Sequence, residues 1–281
     1  MRRGILTGGL LLCACLAAEA ALAAGERNDI PSCYDAAKMS EARPAGTGRE
    51  LIVVIDETLQ LPKELQESAY QHVLRFVQPG DSVRLYQFSA YLAGRYFSMP
   101  FAGQLERPLT GKTRDSIAMN LLKQLDTCLT QQQGFFRKTF GQQMLKSFGS
   151  ASTDIARSEI FSALKQIGND AGGHEAGERV LLLVSDMLEN SDFGSFYSNN
   201  RIRDIKPEDE LGKVEKQALF ADLRGARVFV LGAGLVPHEV KHGYRSGKTM
   251  QALETFWHEY FARSNASLEA FGAPSLTTDL H

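Results

Sequence analysis

The sequence has no excess of either charge. Its 281 residues include 31 lysines and arginines and 33 aspartates and glutamates, which gives a formal net charge of -2 at pH 7. A protein whose main partner is nucleic acid carries a basic excess or a basic patch, and an anionic membrane surface selects for the same feature. The near-balance of charge argues against both partner classes. The content of 43% hydrophobic and 23% charged residues is typical of a globular protein.

Several signatures of common enzymes are missing. The sequence contains no G-x-S-x-G motif and no recognisable Ser/His/Asp arrangement, and its VLGAG segment lacks the full G-x-G-x-x-G of a dinucleotide-binding turn. It also has no internal repeat and no low-complexity segment. These absences remove the usual sequence evidence for a serine hydrolase, for a Rossmann-type oxidoreductase and for a repeat protein.

The first 24 residues differ from the rest of the chain. Two arginines follow the first Met, a run of apolar and small residues comes next, and residues 21–23 form an A-x-A cleavage site. This pattern predicts a signal peptide over residues 1–24 and an exported protein, periplasmic or secreted, with no transmembrane segment in the mature chain. An alternative interpretation is a lipobox, in which Cys15 becomes a lipidated N-terminus.

Cysteine is scarce. The chain has four, and only Cys33 and Cys128 lie beyond the predicted cleavage site. In an oxidising compartment such an even pair favours a disulfide, which here would tie an N-terminal arm to the body of the protein. The alternative is two separate thiols, one of them buried. Two cysteines so far apart in sequence do not make a zinc site by themselves.

Apolar strands alternate with amphipathic helices along the chain. Residues 51–56 (LIVVID) and 180–186 (VLLLVSD) are typical of strands buried on both faces. Residues 82–89 and 94–101 predict two strands joined as a hairpin. A further strand is expected at 226–234. Helices are expected after Pro62, between 111 and 167 with one beginning at Thr153 or Asp154, near 214–223, and around 250–261.

This order predicts an α/β fold. We expect an open, mostly parallel sheet with one antiparallel hairpin strand, flanked by helices on both faces, in a Rossmann-like arrangement. A polar leader is predicted at 25–49. No linker-like break occurs between residues 50 and 265, so this range is predicted to be one domain. Residues 266–281 are predicted to be a C-terminal tail, and no sixth strand is evident.

Two of the predicted strands end in an acid, Asp56 and Asp186. In open parallel sheets, ligands bind at the carboxyl ends of the strands, and neighbouring strands lie ~4.8 Å apart. Two carboxylates that close raise one another's pKa unless a cation lies between them. Taken singly, each feature has a structural explanation: Asp56 bonds loop amides, Thr58 caps the next helix, and Asp186 orients the following loop.

Taken jointly, these residues resemble the metal-ion-dependent adhesion site of von Willebrand factor A-type (vWA) domains, the fold shared with integrin inserted domains, here of a bacterial envelope type. The family pattern is D-x-[ST]-x-S after the first strand, a Thr in the loop before a later helix, and an Asp after the fourth strand. Asp56 and Thr58 match the first two positions. Thr153 and Asp186 match the last two.

The sequence departs from this pattern at two positions. Gln60 stands where the family has a serine, and Met187 stands where a glycine usually follows the last aspartate. The resemblance implies hard oxygen ligands, which favour Mg²⁺ (or Mn²⁺), and an open coordination position that an acidic side chain of a protein partner fills. The implied role is adhesive and not catalytic. The implied metal ligands are Asp56, Thr58, Gln60, Thr153 and Asp186.

Residues 238–242 (HEVKH) match the H-E-x-x-H motif of zinc peptidases. In that motif His238 and His242 would bind zinc, and Glu239 would act on the metal-bound water. Pro237 and Gly243 flank the motif closely, which leaves room for about one helical turn, too short for a rigid metal-binding face. An accidental match is therefore the favoured interpretation.

Three functional hypotheses remain, in this order. The first is an exported, non-enzymatic vWA-like domain that binds a protein partner through a divalent cation at the carboxyl end of its sheet. The second is the same scaffold without metal, binding through its loops. The loop of residues 188–207 is expected on the same rim, and its length suggests partner contact or disorder. The third is a secreted zinc hydrolase that uses the HEVKH segment.

Overall fold

The computed structural model describes most of the chain beyond its N-terminal segment. The described residues are 27–46, 48–89, 97–151, 157–198, 201–235 and 247–281. The predicted signal peptide at 1–24 and the lipidation site at Cys15 lie outside these ranges. So do Thr153 and the HEVKH segment with His238, Glu239 and His242.

Six strands form one sheet in the order β6-β5-β4-β1-β2-β3. All neighbouring pairs are parallel except β2 and β3, which pair antiparallel as the predicted hairpin. The strand order with β1 beside β4 is that of a Rossmann-like sheet, so the predicted fold class is confirmed. The strands are β1 (Arg49–Asp56), β2 (Ser82–Phe88), β3 (Phe97–Gln104), β4 (Glu178–Val184), β5 (Ala226–Leu231) and β6 (Ala266–Gly272).

Helices cover both faces of the sheet, and the alternation of side chains along β1 shows why. Ile52 and Val54 point into a core shared with α5, α6 and α7, whereas Leu51, Val53 and Ile55 point into a second core shared with α2 and α4. Burial on both faces explains the uninterrupted apolar run of this strand. The helices are α1 (Cys33–Ala36), α2 (Lys63–Phe76), α3 (Gly111–Asp115), α4 (Met119–Gly149), α5 (Ile160–Ala171), α6 (Pro207–Lys216) and α7 (Gly247–Arg263).

Two helix boundaries differ from the prediction. Helix α5 begins at Ile160, not at Thr153 or Asp154. The carboxylate of Glu189, distant in sequence, accepts a hydrogen bond from the Phe161 amide at 3.2 Å, so this helix start needs no local Ser, Thr or Asp cap. Helix α6 begins at Pro207, before the expected range of 214–223, and ends at Lys216, within it. A first-turn proline and three acids in that turn favour the earlier start.

The C-terminal segment is not a tail throughout. Residues 266–272 form β6, the parallel edge strand beside β5, so the sheet extends beyond the predicted domain boundary at 265. The sequence ASLEAFG has no continuous apolar run, since most of this edge strand is only half-buried or exposed. The other parallel strands were predicted from their continuous apolar runs, and a partly exposed strand has no such run.

The N-terminal segment packs against the body, where a polar leader was expected. A disulfide joins Cys33 in α1 to Cys128 in α4, which confirms the predicted pairing. The Glu106 carboxylate accepts hydrogen bonds from the Ser32 hydroxyl at 2.7 Å and from the Cys33 amide at 2.6 Å. Upstream, the Asp29 amide donates to the Ala102 carbonyl at 2.7 Å, so the arm also covers part of the exposed edge at β3.

Within the described part of the chain, no helix is both long enough and apolar enough to cross a membrane.

A buried ionic triad joins three strands. Glu50 in β1 accepts hydrogen bonds from Arg84 in β2 at 2.8 Å and from Arg179 in β4 at 2.6 Å, and all three side chains are more than nine-tenths buried. Removing one member of such a group leaves buried charge without its counter-ion, which is far more costly than losing an exposed pair. The triad therefore links β1, β2 and β4 through buried charges near the start of each strand.

Replacing Glu50 with Gln is expected to lower the free energy of unfolding by about 3–5 kcal/mol, since two buried guanidinium groups lose their counter-charge. Urea denaturation followed by circular dichroism measures the change. Glu178→Gln is the matched control, because the Glu178 side chain pairs with Arg227 but is 40% exposed, and we expect a loss below about 1 kcal/mol. Equal losses in the two variants would contradict the assignment of the triad.

Candidate functional site

The two strand-terminal acids lie at the same edge of the sheet. β1 ends at Asp56, β4 ends two residues before Asp186, and the two strands are parallel neighbours with Ile55 opposite Val184. Both acidic side chains are buried. The condition under which the sequence argument brings the two carboxylates close, that their strands be neighbours, is therefore met.

The carboxylate of Asp56 is the most heavily hydrogen-bonded group at this edge. Its Oδ1 atom accepts the Thr58 amide at 3.0 Å and the Thr58 hydroxyl at 2.6 Å. Its Oδ2 atom accepts the Ser158 hydroxyl at 3.0 Å and the Ser185 hydroxyl at 2.8 Å. Burial raises the pKa of Asp56, and these hydrogen bonds offset part of that effect. Since an ionised carboxylate has about four acceptor sites, Asp56 is saturated by donors of the protein.

Asp186 has fewer partners among the described residues. Its Oδ1 atom accepts the Leu188 amide at 2.9 Å, which orients the following loop, and its Oδ2 atom accepts the Tyr197 hydroxyl at 2.6 Å. Burial, together with the negative charge of Asp56, raises the pKa of Asp186 to about 7. With one donor on each oxygen, the Asp186 carboxylate keeps acceptor capacity for a further ligand.

Ser158, Ser185 and Tyr197 were missed by sequence reasoning. Ser158 lies two residues before α5 and is held by paired backbone hydrogen bonds with Asn190. The sequence offered one signal for each serine. Ser158 is a hydroxyl residue just before the apolar start of the helix, and Ser185 is a hydroxyl residue between the apolar strand and Asp186. Tyr197 lies eleven residues beyond Asp186, in a loop whose course the sequence pattern does not specify.

The remaining predicted ligands occupy different situations. Thr58 is joined to Asp56 as described, and Gln60 lies at an exposed position on the same loop. Thr153 lies outside the described residues, so its role stays a prediction. Within the ranges given above, no three His, Cys, Asp or Glu side chains lie close enough together to hold a metal ion. The side-chain oxygen groups gathered at this edge are two carboxylates and the hydroxyls of threonine, serine and tyrosine.

Met187 adopts a backbone conformation that glycine favours. Its φ angle is +62°, in the left-handed region that costs a residue with a Cβ roughly 1–2 kcal/mol. Its amide donates a hydrogen bond to the Ser185 hydroxyl oxygen at 3.0 Å, and its carbonyl accepts one from the Trp257 indole N–H at 2.9 Å. The side chain is fully buried. These contacts hold the strained turn and place the single Trp of the chain next to the site.

Comparisons with known proteins add little to this geometry. No family model matches the chain, and no curated protein matches it. Among solved structures, an aerotolerance-related membrane protein from Bacteroides fragilis NCTC 9343 is similar at 12% identity and a TM-score of 0.35, with 81% of this chain and 93% of that chain covered.

Two further solved structures are similar at the same level. The pilus adhesin SpaC from Lactobacillus rhamnosus GG matches at 12% identity and a TM-score of 0.33, over 78% of this chain and 30% of the adhesin. The TFIIH p34 N-terminal domain matches at 11% identity and a TM-score of 0.26, over 75% of this chain and 96% of that domain. Likenesses this low carry no argument about function, and the fold class rests on the strand order.

A pH dependence follows from the buried acid that caps α5. Burial raises the pKa of Glu189 from its ordinary value of 4.5 to about 8. Between those values the folded state holds a proton that the unfolded state has released, so stability falls as pH rises. We expect the free energy of unfolding of the cation-free wild type to fall, relative to that of Glu189→Gln, between pH 5 and pH 8.

Urea denaturation of both proteins across this pH range, in the presence of EDTA, measures the difference. Asp186 contributes in the same direction in both proteins and cancels in the comparison. A wild type whose stability rises with pH relative to Glu189→Gln would show that Glu189 is ionised in the folded state over this range.

Proposed function

We propose that this chain is a non-enzymatic, vWA-like protein-binding domain that holds a divalent cation at the carboxyl end of its sheet. The observation that carries the proposal is the pair of buried carboxylates on adjacent parallel strands, Asp56 and Asp186, with hydroxyl groups gathered around them. A cation at this edge would offset the mutual repulsion that contributes to the raised pKa of Asp186.

The ligand chemistry fits Mg²⁺ or Mn²⁺. Carboxylate and hydroxyl oxygens are hard ligands, and Mg²⁺ binds through one or two carboxylates while keeping several waters. Asp186 has acceptor capacity left, whereas Asp56 is saturated by hydrogen bonds. We infer that Asp186 would act directly or through water, and that Asp56 would orient the hydroxyls of Thr58 and Ser158 toward the cation.

Two residues of the family pattern complete the proposal. The resemblance assigns the loop hydroxyl to Thr153, while the contact of Ser158 with Asp56 supports Ser158 in that position. Gln60 would contribute its amide oxygen only if its exposed side chain turns toward the edge. By the same resemblance, an acidic side chain of a protein partner would fill the open coordination position, which makes the site adhesive and not catalytic.

A specific observation favours a second candidate, the same scaffold binding without metal. All four acceptor sites of Asp56 are used by donors of the protein, so this carboxylate is stable without a cation. In that case the loops around the edge, including residues 188–207, would bind the partner. The zinc hydrolase that the HEVKH segment suggested has no comparable support.

We also propose that the protein is exported. The Cys33–Cys128 disulfide supports an oxidising compartment, as the predicted signal peptide at 1–24 does. Mass spectrometry of the natural N-terminus decides whether Cys15 carries a lipid, and cell fractionation decides whether the mature chain is periplasmic or secreted.

Calorimetric titration of the purified protein with Mg²⁺, Mn²⁺ and Zn²⁺ tests the proposed cation site. We expect the wild type to bind Mg²⁺ and Mn²⁺, and Asp186→Asn, which keeps the shape of the side chain, to weaken binding at least about 10-fold through loss of a charged ligand. Asp56→Ala is expected to abolish binding. Ser158→Ala and Thr153→Val separate the two candidates for the loop hydroxyl.

Asp126→Ala is the matched control, since Asp126 pairs with Arg114 on the surface of α4, and its titrations should equal those of the wild type. A wild type that binds neither Mg²⁺ nor Mn²⁺ would favour the metal-free scaffold, and zinc binding lost in His242→Ala would favour the hydrolase.

The open coordination position is tested on the Mn²⁺-loaded protein. An acidic peptide should displace metal-bound water and so lower the relaxation rate of the water protons.

A further inference from the structure

We propose that Tyr197 is a positioning residue for the cation site: its hydroxyl group fixes the Asp186 carboxylate in the orientation that binds the cation. This inference rests on the proposed function and adds to it a residue outside the vWA pattern. The contact is a hydrogen bond of 2.6 Å from the Tyr197 hydroxyl to Oδ2 of Asp186.

Two hydrogen bonds restrain the orientation of the Asp186 carboxylate. The Leu188 amide holds Oδ1 at 2.9 Å from one side, and the Tyr197 hydroxyl holds Oδ2 from another. Each oxygen keeps one further acceptor position, and the two donors set the directions of those positions. Without the Tyr197 hydroxyl, only the short-range contact with Leu188 would orient the group.

The backbone around Tyr197 is held in place by its neighbours. The Tyr197 amide donates to the Ser195 hydroxyl at 3.0 Å, and Tyr197 pairs with Ile202 in a short antiparallel ladder. The preceding Phe196 is fully buried, and its amide donates to the Glu189 carbonyl at 2.8 Å. The hydroxyl is therefore presented to Asp186 by an anchored segment and not by a free side chain.

The location of Tyr197 gives the long loop a role at the site. Within residues 188–207, Phe196 packs against Phe256 and Trp257 of α7. This packing carries the tyrosine back over the end of β4. Ligating carboxylates that are hydrogen-bonded in this way bind metal more tightly, and loss of such a partner typically weakens metal affinity 10–100-fold.

The test compares Tyr197→Phe with Tyr70→Phe in titrations of the full chain with Mg²⁺ and with Mn²⁺. Both substitutions remove one phenolic hydroxyl and keep the ring, but Tyr70 donates to the Arg137 carbonyl on the opposite face of the sheet. We expect about 10-fold weaker binding of both cations in Tyr197→Phe, and no change in Tyr70→Phe.

Two further measurements separate positioning from a general structural role. Urea denaturation in EDTA gives the stability of each cation-free variant, and Trp257 fluorescence reports binding at the site through the indole bond to Met187. Ser195→Ala keeps the tyrosine hydroxyl but removes a hydrogen bond to its backbone. Ser195→Ala should also weaken cation binding, but by less than Tyr197→Phe. If Tyr197→Phe does not fold, Ser195→Ala still tests the inference.

The outcomes distinguish this inference from the proposed function. A wild type that binds cations, with Tyr197→Phe binding them equally or more tightly, overturns the role of Tyr197 and leaves the cation site standing. Reduced stability of Tyr197→Phe with an unchanged dissociation constant overturns it as well. A wild type that binds neither cation overturns the proposed site and this inference together.

Discussion

The carboxylate of Asp56 is the group on which the architecture of the site depends. It is buried, and a buried charge is tolerated only when donors surround it. The donors come from three separate segments: the loop after β1 through Thr58, the loop before α5 through Ser158, and the end of β4 through Ser185. Through these hydrogen bonds, the Asp56 side chain links three chain segments that meet at the carboxyl end of the sheet.

The other features of this edge follow from that arrangement. Because Asp56 takes up the neighbouring hydroxyls, Asp186 must find its donors elsewhere, and it finds them in Leu188 and Tyr197. The chain turns sharply between Asp186 and Leu188 at Met187, whose left-handed backbone is held by hydrogen bonds to Ser185 and Trp257. Backbone strain of this kind is typically kept at functional sites, where surrounding contacts support it.

Much of the sheet was predictable from the sequence, because burial on both faces leaves an unbroken apolar run. This holds for β1 and β4, and the acids that end them marked the edge where they meet. The same reasoning failed for β6, a half-buried edge strand with no such run. It also failed for the start of α5, where Glu189 replaces a local cap.

The site was predictable only in part, for a related reason. Asp56, Thr58 and Asp186 follow strands directly, so their positions are set by local sequence. Ser158 is held at the site by Asn190, and Tyr197 is brought there by the packing of its neighbour Phe196 against Phe256 of α7. No periodicity in the sequence encodes those tertiary contacts. The disulfide was partly predictable. The number of cysteines was compatible with a Cys33–Cys128 bond, but it did not exclude two free thiols, and the structure shows the bond.

The central claim is that a divalent cation binds where Asp186 meets the hydroxyls gathered by Asp56. The most direct measurement is anomalous diffraction from crystals of the full mature chain grown with Mn²⁺, which locates the metal independently of any assumed ligand. The account predicts one anomalous peak beside Asp186, within coordination distance of a hydroxyl of Thr58 or Ser158. A well-ordered edge with no peak, or a peak at another place on the molecule, would contradict it.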